Sequence, residues 1–240
     1  NLISFIIFIP LAGTVVLWLV PQGRKNIIRW IALVAMAVDL AMGLVLWFRF
    51  NPEIAGMQFE ISTHWFSLGG LPVFYRLGVD GISLLLVELT LLLGPVVILS
   101  SWRYIQERVK EYHLFMLLLQ TGMLGAFAAA DLFLFYVFWE VMLVPMYFLI
   151  GVWGGGRRIY AAIKFFLFTM AGSMLMLAAI IYLALVPEIQ SFDLVAITST
   201  LSRKPLAGDI QMVLFAAFAI AFAIKVPMFP FHTWLPDAHV

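Results

Sequence analysis

Residues 132–152 read LFLFYVFWEVMLVPMYFLIGV. Glu140 is the one charged side chain in this run, and the rest is aliphatic or aromatic. A helix rises 1.5 Å per residue, and a bilayer's hydrocarbon core takes about 20 apolar residues to cross. The run has that length. It shows none of the ~10-residue alternation of a membrane β-barrel strand. In lipid every backbone N–H and C=O must find a partner inside the protein. The stretch therefore reads as a membrane-spanning helix with a carboxylate near its middle, which sets the class of the chain as all-α.

Six further runs of the same kind surround it, at about 2–20, 27–48, 82–101, 114–130, 161–186 and from 210 onward. The composition agrees. Of 240 residues, 64% are hydrophobic and only 11% charged, with a mean hydropathy of +1.06. Soluble domains carry about a quarter charged residues. The net charge of +1 leaves no basic footprint for nucleic acid. The absence of cysteine excludes disulfides, thiolate metal sites and cysteine-ligated iron–sulfur clusters from these residues. The first twenty residues lack the basic n-region of a signal peptide and lead straight into a second apolar run. The chain begins without Met and stops just after a structural break, so it is expected to be part of a longer protein.

Two connections are long. The segment 49–81 holds FEISTHWF at 59–66. Its start alternates apolar and polar residues, which predicts a small hairpin at the membrane surface. The segment 187–209 is polar and is expected to hold a short surface helix. No GxGxxG or Walker pattern occurs, and Gly154–Gly156 followed by Arg157 and Arg158 reads as a turn between spans. Redox chemistry is therefore expected on other chains. The odd-numbered loops carry Arg24, Lys25, Arg29, Arg103, Arg108, Lys110, Arg157, Arg158 and Lys164, against Arg49, Arg76, Arg203 and Lys204 on the even side. The odd loops should face the cytoplasm or matrix.

The last run is too long for one straight span, since 29 residues (210–238) would extend ~43 Å as helix. It is also interrupted by Lys225-Val226-Pro227-Met228-Phe229-Pro230, and proline breaks a helix interior. A discontinuous helix is expected, and transporters place ion sites at such breaks. Ionisable residues at membrane depth are functional candidates by default. Four are deep: Asp39, Glu88, Glu140 and Lys225. Burial disfavours the charge of Glu140 or Lys225 alone, whereas together each stabilises the other. Such a pair makes a bistable element suited to proton movement. A static buried ion pair explains the two residues equally well. Lys164, near one end of its span, either snorkels to the interface or points inward. His232, just past the break, is a candidate relay, with His239 seven residues on. His64 and His113 are expected at the surface, and Asp131 as the N-cap of the fifth span.

Asp131-Leu132-Phe133-Leu134-Phe135-Tyr136 with Phe138-Trp139-Glu140, then Leu143-Val144-Pro145-Met146-Tyr147-Phe148-Leu149-Ile150, resembles the fifth-helix signature of the antiporter-like subunits of respiratory complex I (NADH:quinone oxidoreductase). Similar matches are Gly78-Val79-Asp80-Gly81-Ile82-Ser83, Lys164-Phe165-Phe166-Leu167-Phe168-Thr169 with Gly172-Ser173, and Phe222-Ala223-Ile224-Lys225-Val226-Pro227 with Pro230, His232 and Trp234-Leu235-Pro236-Asp237-Ala238-His239. The Leu143–Ile150 wording points to the M-type branch, equivalent to mitochondrial chain 4. The resemblance implies a polytopic bundle of two inverted five-helix repeats, each with a discontinuous helix. This chain would supply the two N-terminal helices and surface loop (1–77) and the first translocation repeat (78–240), ending before the second. It also implies that Glu140 and Lys225 are the proton-translocating pair and that Lys164 continues the path. Asp39 matches no part of the pattern.

The resemblance further implies a proton-translocating subunit without a redox cofactor or metal of its own. FMN, iron–sulfur clusters and quinone belong on other subunits. The expected partners are neighbouring antiporter-like subunits and the lipid bilayer, and the expected location is a bacterial cytoplasmic membrane rather than a mitochondrial inner membrane. A multisubunit sodium/proton antiporter shares these motifs and is the alternative. A membrane scaffold that has only kept the fold is a third reading.

Overall fold

The computed structural model describes residues 1–239; for His239 it describes the backbone alone. Ten helices appear among the described residues: α1 (Leu2–Leu19), α2 (Lys25–Arg49), α3 (Gly81–Ser101), α4 (Val109–Ala128), α5 (Leu132–Val141), α6 (Leu143–Trp153), α7 (Arg158–Leu185), α8 (Leu194–Arg203), α9 (Gly208–Lys225) and α10 (Leu235–His239). One antiparallel hairpin, β1 (Gln58–Leu68) and β2 (Leu71–Val79), stands between α2 and α3. Six helical segments are long and apolar enough to cross a membrane: Leu2–Leu19, Lys25–Arg49, Gly81–Tyr104, Leu132–Trp153, Arg158–Leu185 and Gly208–Lys225.

Sequence reading expected seven spans. The seventh, α4, is as long as the others, but its first turns hold Lys110, Glu111, Tyr112 and His113, and Gln120 lies further in. Those polar residues lower its mean hydropathy below that of the six. His113 also corrects an expectation. It is fully buried, with Nδ1 2.7 Å from the carbonyl oxygen of Val109. The helix begins at Val109 rather than at the first long apolar run, so His113 falls inside a packed helical turn.

The hairpin and the short helix α8 occur where the sequence placed them. The hairpin turns on Gly69 and Gly70, at φ 56° and 88°. A two-residue turn with positive φ at both positions matches the twist of the flanking strands, and glycine adopts it without a Cβ clash.

The residues group into two compact units: Asn1–Ser62 with Arg76–Ala129, and Thr63–Tyr75 with Ala130–Val240. In the first unit α2 packs against α1, α3 and α4, and α1 packs against α4. Basic side chains tie the helix ends together. Lys110 donates to the carbonyls of Trp18 and Val20 at 2.7 Å each, meeting orphan acceptors at the end of α1. Arg29, buried in the first turns of α2, donates to Ile105 O at 2.9 Å. The apolar residues of α3 run all round it, and Ile82, Leu85, Leu89, Leu92, Val96 and Leu99 remain exposed. A helix with a bare apolar outer face suits lipid.

Asp80 starts α3 with a capping box. Its carboxylate accepts from the amides of Ile82 and Ser83 at 3.1 and 2.7 Å, and Ser83 Oγ accepts from the Asp80 amide at 2.8 Å. The Ser83 amide, the largest of these influences, holds the Asp80 carboxyl below its ordinary range. A lowered carboxylate contributes stability above its unfolded value and loses it as pH falls through the folded one. Asp80→Ala should lower stability by about 1 kcal/mol, read as a lower unfolding temperature at neutral pH, with the difference shrinking in acid.

In the second unit α7 packs against α9 and α6, and α10 returns to α7. One apolar cluster joins Met176, Ile180 and Ala184 of α7 with Ala221 of α9, Val73 and Phe192. A second joins Leu143, Ile150, Ala161, Ala162, Phe165 and Trp234. Gly172 lets α7 and α9 approach closely: a Cβ there would lie 2.9 Å from Ile224 Cδ1 and 3.3 Å from Ala221 Cα. Small residues at such crossings are the usual device for packing helices in lipid.

Candidate functional site

A helix kink and a helix break define the site, and both follow from proline. The span Leu132–Trp153 carries a kink at Met142, where α5 gives way to α6 while Met142 keeps helical geometry. Pro145 has no N–H to give the Val141 carbonyl four residues back, and its ring crowds that same carbonyl. The kink therefore falls two residues after Glu140. Asp131 anchors the other end of α5 as its N-cap, accepting from Phe133 and Leu134 amides at 2.9 and 3.0 Å. Desolvation is the largest influence on Asp131 and raises its carboxyl above the ordinary range.

The break ends α9. The helix stops at Lys225, a 3-10 turn covers Phe231–Trp234, and α10 follows. The discontinuous helix read from Pro227 and Pro230 is thus present. Its free end is met from within the protein: the buried Trp234 indole donates to Ile224 O at 2.9 Å, and the Met228 amide donates to Ala223 O at 2.8 Å. The interruption is built with its backbone satisfied, as depth in a membrane requires.

Lys225 and Glu140 stand at this break and this kink. The Lys225 ammonium stands 5.0 Å from the centroid of the Trp139 ring, and Trp139 also packs edge-on against Phe222 at 5.6 Å. A cation over an indole face is stabilised by about 2 kcal/mol when desolvated. Trp139 precedes Glu140 in α5, so the aromatic platform brings the lysine beside the carboxylate. Lys225 lies within electrostatic reach of Glu140. No ion pair within 4 Å joins them among the described residues. Glu140 also lies within electrostatic reach of Tyr136, one turn back. The negative end of α9 favours a cation at Lys225.

Lys164 is held elsewhere. Its ammonium donates to Thr233 O at 2.6 Å and to Asp237 Oδ2 at 2.8 Å. It also lies 5.7 Å from the Tyr160 ring centroid. Asp237 takes a second cation, Arg157, at 2.9 Å. Lys164 therefore locks the start of α7 to the segment beyond the break. His232 is exposed and stacks on Phe229, with ring centroids 5.7 Å apart. The side chain of His239, seven residues on, lies outside the described residues. Sequence reasoning did not single out Trp139 or Asp237. The kink at Met142 was legible in Pro145. Asp237 stood in the quoted motif, but nothing local announced its partner.

The site is thus a half-buried lysine and glutamate beside a discontinuous helix in an apolar helical bundle. Residues 129–240 match the family described as "NADH:quinone oxidoreductase/Mrp antiporter, TM". Among curated proteins the chain is similar to subunit M of NADH-quinone oxidoreductase. It is 45% identical to NADH-quinone oxidoreductase subunit M of Rhodobacter capsulatus, over 100% of this chain and 48% of that protein. It is 39% identical to the Escherichia coli K12 subunit M, over 99% and 48%. The chain spans about half the length of these relatives. Among solved structures, a chain of respiratory complex I from Thermus thermophilus superposes with a TM-score of 0.80 at 30% identity, covering 98% of this chain and 46% of that one. A chain of the Mrp complex from Dietzia sp. DQ12-45-1b shares the fold, with a TM-score of 0.76 at 23% identity over 99% of this chain and 24% of that one.

Proposed function

We propose that this chain forms part of a proton-translocating membrane subunit of an NADH:quinone oxidoreductase. In this reading quinone reduction elsewhere in the complex drives protons through the Glu140–Lys225 pair. The observation that carries it is Lys225 seated on Trp139 at 5.0 Å, beside Glu140, next to a proline kink and a proline break. When the lysine approaches the carboxylate, both charges are stabilised. When it withdraws, burial disfavours both, and a proton can leave the lysine and another can enter the carboxylate. The complex supplies the motion, and this chain supplies two groups whose protonation responds to it.

Lys164 and His232 extend the route in this proposal. Lys164, freed from Asp237, is a next acceptor, and His232 is a relay toward water. Residues 1–77 supply the two N-terminal helices and surface hairpin, and 78–240 the first translocation repeat. The subunit acts without a redox centre of its own. The expected partners are other complex I membrane subunits, which hold or adjoin the FMN, iron–sulfur clusters and quinone. The expected location is a bacterial cytoplasmic membrane, with the odd loops on the cytoplasmic side.

The test is complementation. The full-length protein is expressed in a bacterium lacking subunit M, and membrane vesicles are assayed for NADH-driven acidification. Restored pumping that is indifferent to sodium supports the proposal. A pH gradient that appears only on adding sodium, without NADH, supports the sodium/proton antiporter instead.

A further inference from the structure

Asp39 is fully buried in α2 yet plays no part in the site above. One carboxylate oxygen, Oδ2, accepts from Gln120 Nε2 of α4 at 2.9 Å. The other, Oδ1, is buried without a hydrogen-bond partner among the described residues, as is Oε1 of Glu88 in α3. The two carboxyls share a neighbourhood. Gly43, one turn after Asp39, leaves room for Glu88, whose carboxylate oxygens would stand 3.0 and 3.2 Å from a Cβ at that position. Gly94, on α3, lies against Gln120 in the same way.

No cation on the surrounding helices reaches this pocket. The whole of α1 is uncharged, and Glu88 is the only charged residue of α3. On α4 the charged residues Lys110 and Glu111, together with His113, lie two or more turns before Gln120. Lys110 is committed to the carbonyls of Trp18 and Val20, and His113 to that of Val109. On α2, Lys25 and Arg29 lie more than two turns before Asp39 and donate to Gln106 and Ile105 carbonyls, while Arg49 sits at the far end of the helix. The hydroxyls of Thr90 and Thr121 are spent on their own helices, on Leu86 O and Leu117 O. A buried carboxylate with one neutral donor, an orphan oxygen and a second carboxyl beside it is too poorly solvated to stay ionised at little cost.

We propose that Asp39, Glu88 and Gln120 form a second proton-binding site, in the unit built from α1 to α4, with the proton residing on Asp39. The exchange is a simple transfer. A protonated Glu88 gives its proton to the Asp39 carboxylate, leaving Glu88 ionised and Asp39 neutral, and the reverse step releases it. Glu88 is half-buried and is the side open to proton delivery. Gln120 holds the Asp39 carboxyl in place through its amide. The ligand is a proton. The site stands independently of the Glu140–Lys225 reading.

Infrared difference spectroscopy of the assembled complex in native membranes tests this directly. The signal is the carbonyl band of a protonated carboxylic acid that shifts in heavy water. It should be lost in Asp39→Asn, an isosteric neutral replacement, and should persist in Glu88→Gln. If Asp39→Asn prevents assembly, Gln120→Leu gives a second reading: the band should shift as its hydrogen bond to the amide disappears. An unchanged band in assembled Asp39→Asn, a band lost only in Glu88→Gln, or no shift in Gln120→Leu would overturn the assignment. None of these readouts depends on pumping, so failure here leaves the Glu140–Lys225 proposal standing.

Discussion

Lys225→Ala should reduce NADH-driven proton pumping about tenfold or more in vesicles that still contain assembled complex. The expectation rests on the end of α9. Lys225 is set over Trp139 and lies within electrostatic reach of Glu140. Alanine removes the proton carrier and leaves Glu140 without its neighbouring cation. A barrier raised by about 1.4 kcal/mol already corresponds to a tenfold change in rate. Helix α9 should survive, because its end is closed by the Trp234 indole and the Met228 amide rather than by Lys225. Assembly, followed by native electrophoresis of the complex, is therefore expected to be close to normal.

Glu140→Gln should have an effect of the same size for the complementary reason. Glutamine keeps the volume and can still donate to and accept hydrogen bonds, but it cannot take up a proton or draw Lys225 toward itself. Insertion and packing should hold, since Glu140 makes no ion pair that anchors the fold. Glu140→Asp keeps the titrating group one methylene further back and should retain part of the pumping. Normal pumping in Glu140→Gln would make the residue structural and shift attention to Glu88 or Lys164.

Much of this arrangement can be read from local chemistry. Length, apolarity and the lack of alternation mark the spans, and Pro227 and Pro230 mark the broken helix. The alternation after Phe59 marks the hairpin, and Asp131 is legible as a cap because a short acceptor precedes an apolar run. The kink beside Glu140 follows from Pro145 by the same rule that exposed the later break. The span itself is continuous from Leu132 to Trp153, as its apolar length predicts. The first apolar residues of α4 put His113 in solvent, whereas the helix begins at Val109 and packing buries His113.

The pairings that give the sites their chemistry are a different matter. Gln120 lies 81 positions from Asp39, and Asp237 lies 73 from Lys164. Helix periodicity says which side of a helix a residue occupies, but it does not say which helix comes to meet it. Asp39 could be recognised as costly from sequence. That its second oxygen is orphaned beside Glu88 emerges only once α2, α3 and α4 are packed.

The central claim is that Glu140 and Lys225 act as one unit, and a double-mutant cycle on pumping tests it most directly. NADH-driven acidification is measured in vesicles with equal amounts of assembled complex for Glu140→Gln, Lys225→Ala and the two together. If the pair is one device, the double variant should pump about as poorly as either single variant, since the second loss removes nothing further. Losses that multiply as independent effects, or normal pumping in either single variant, would contradict it.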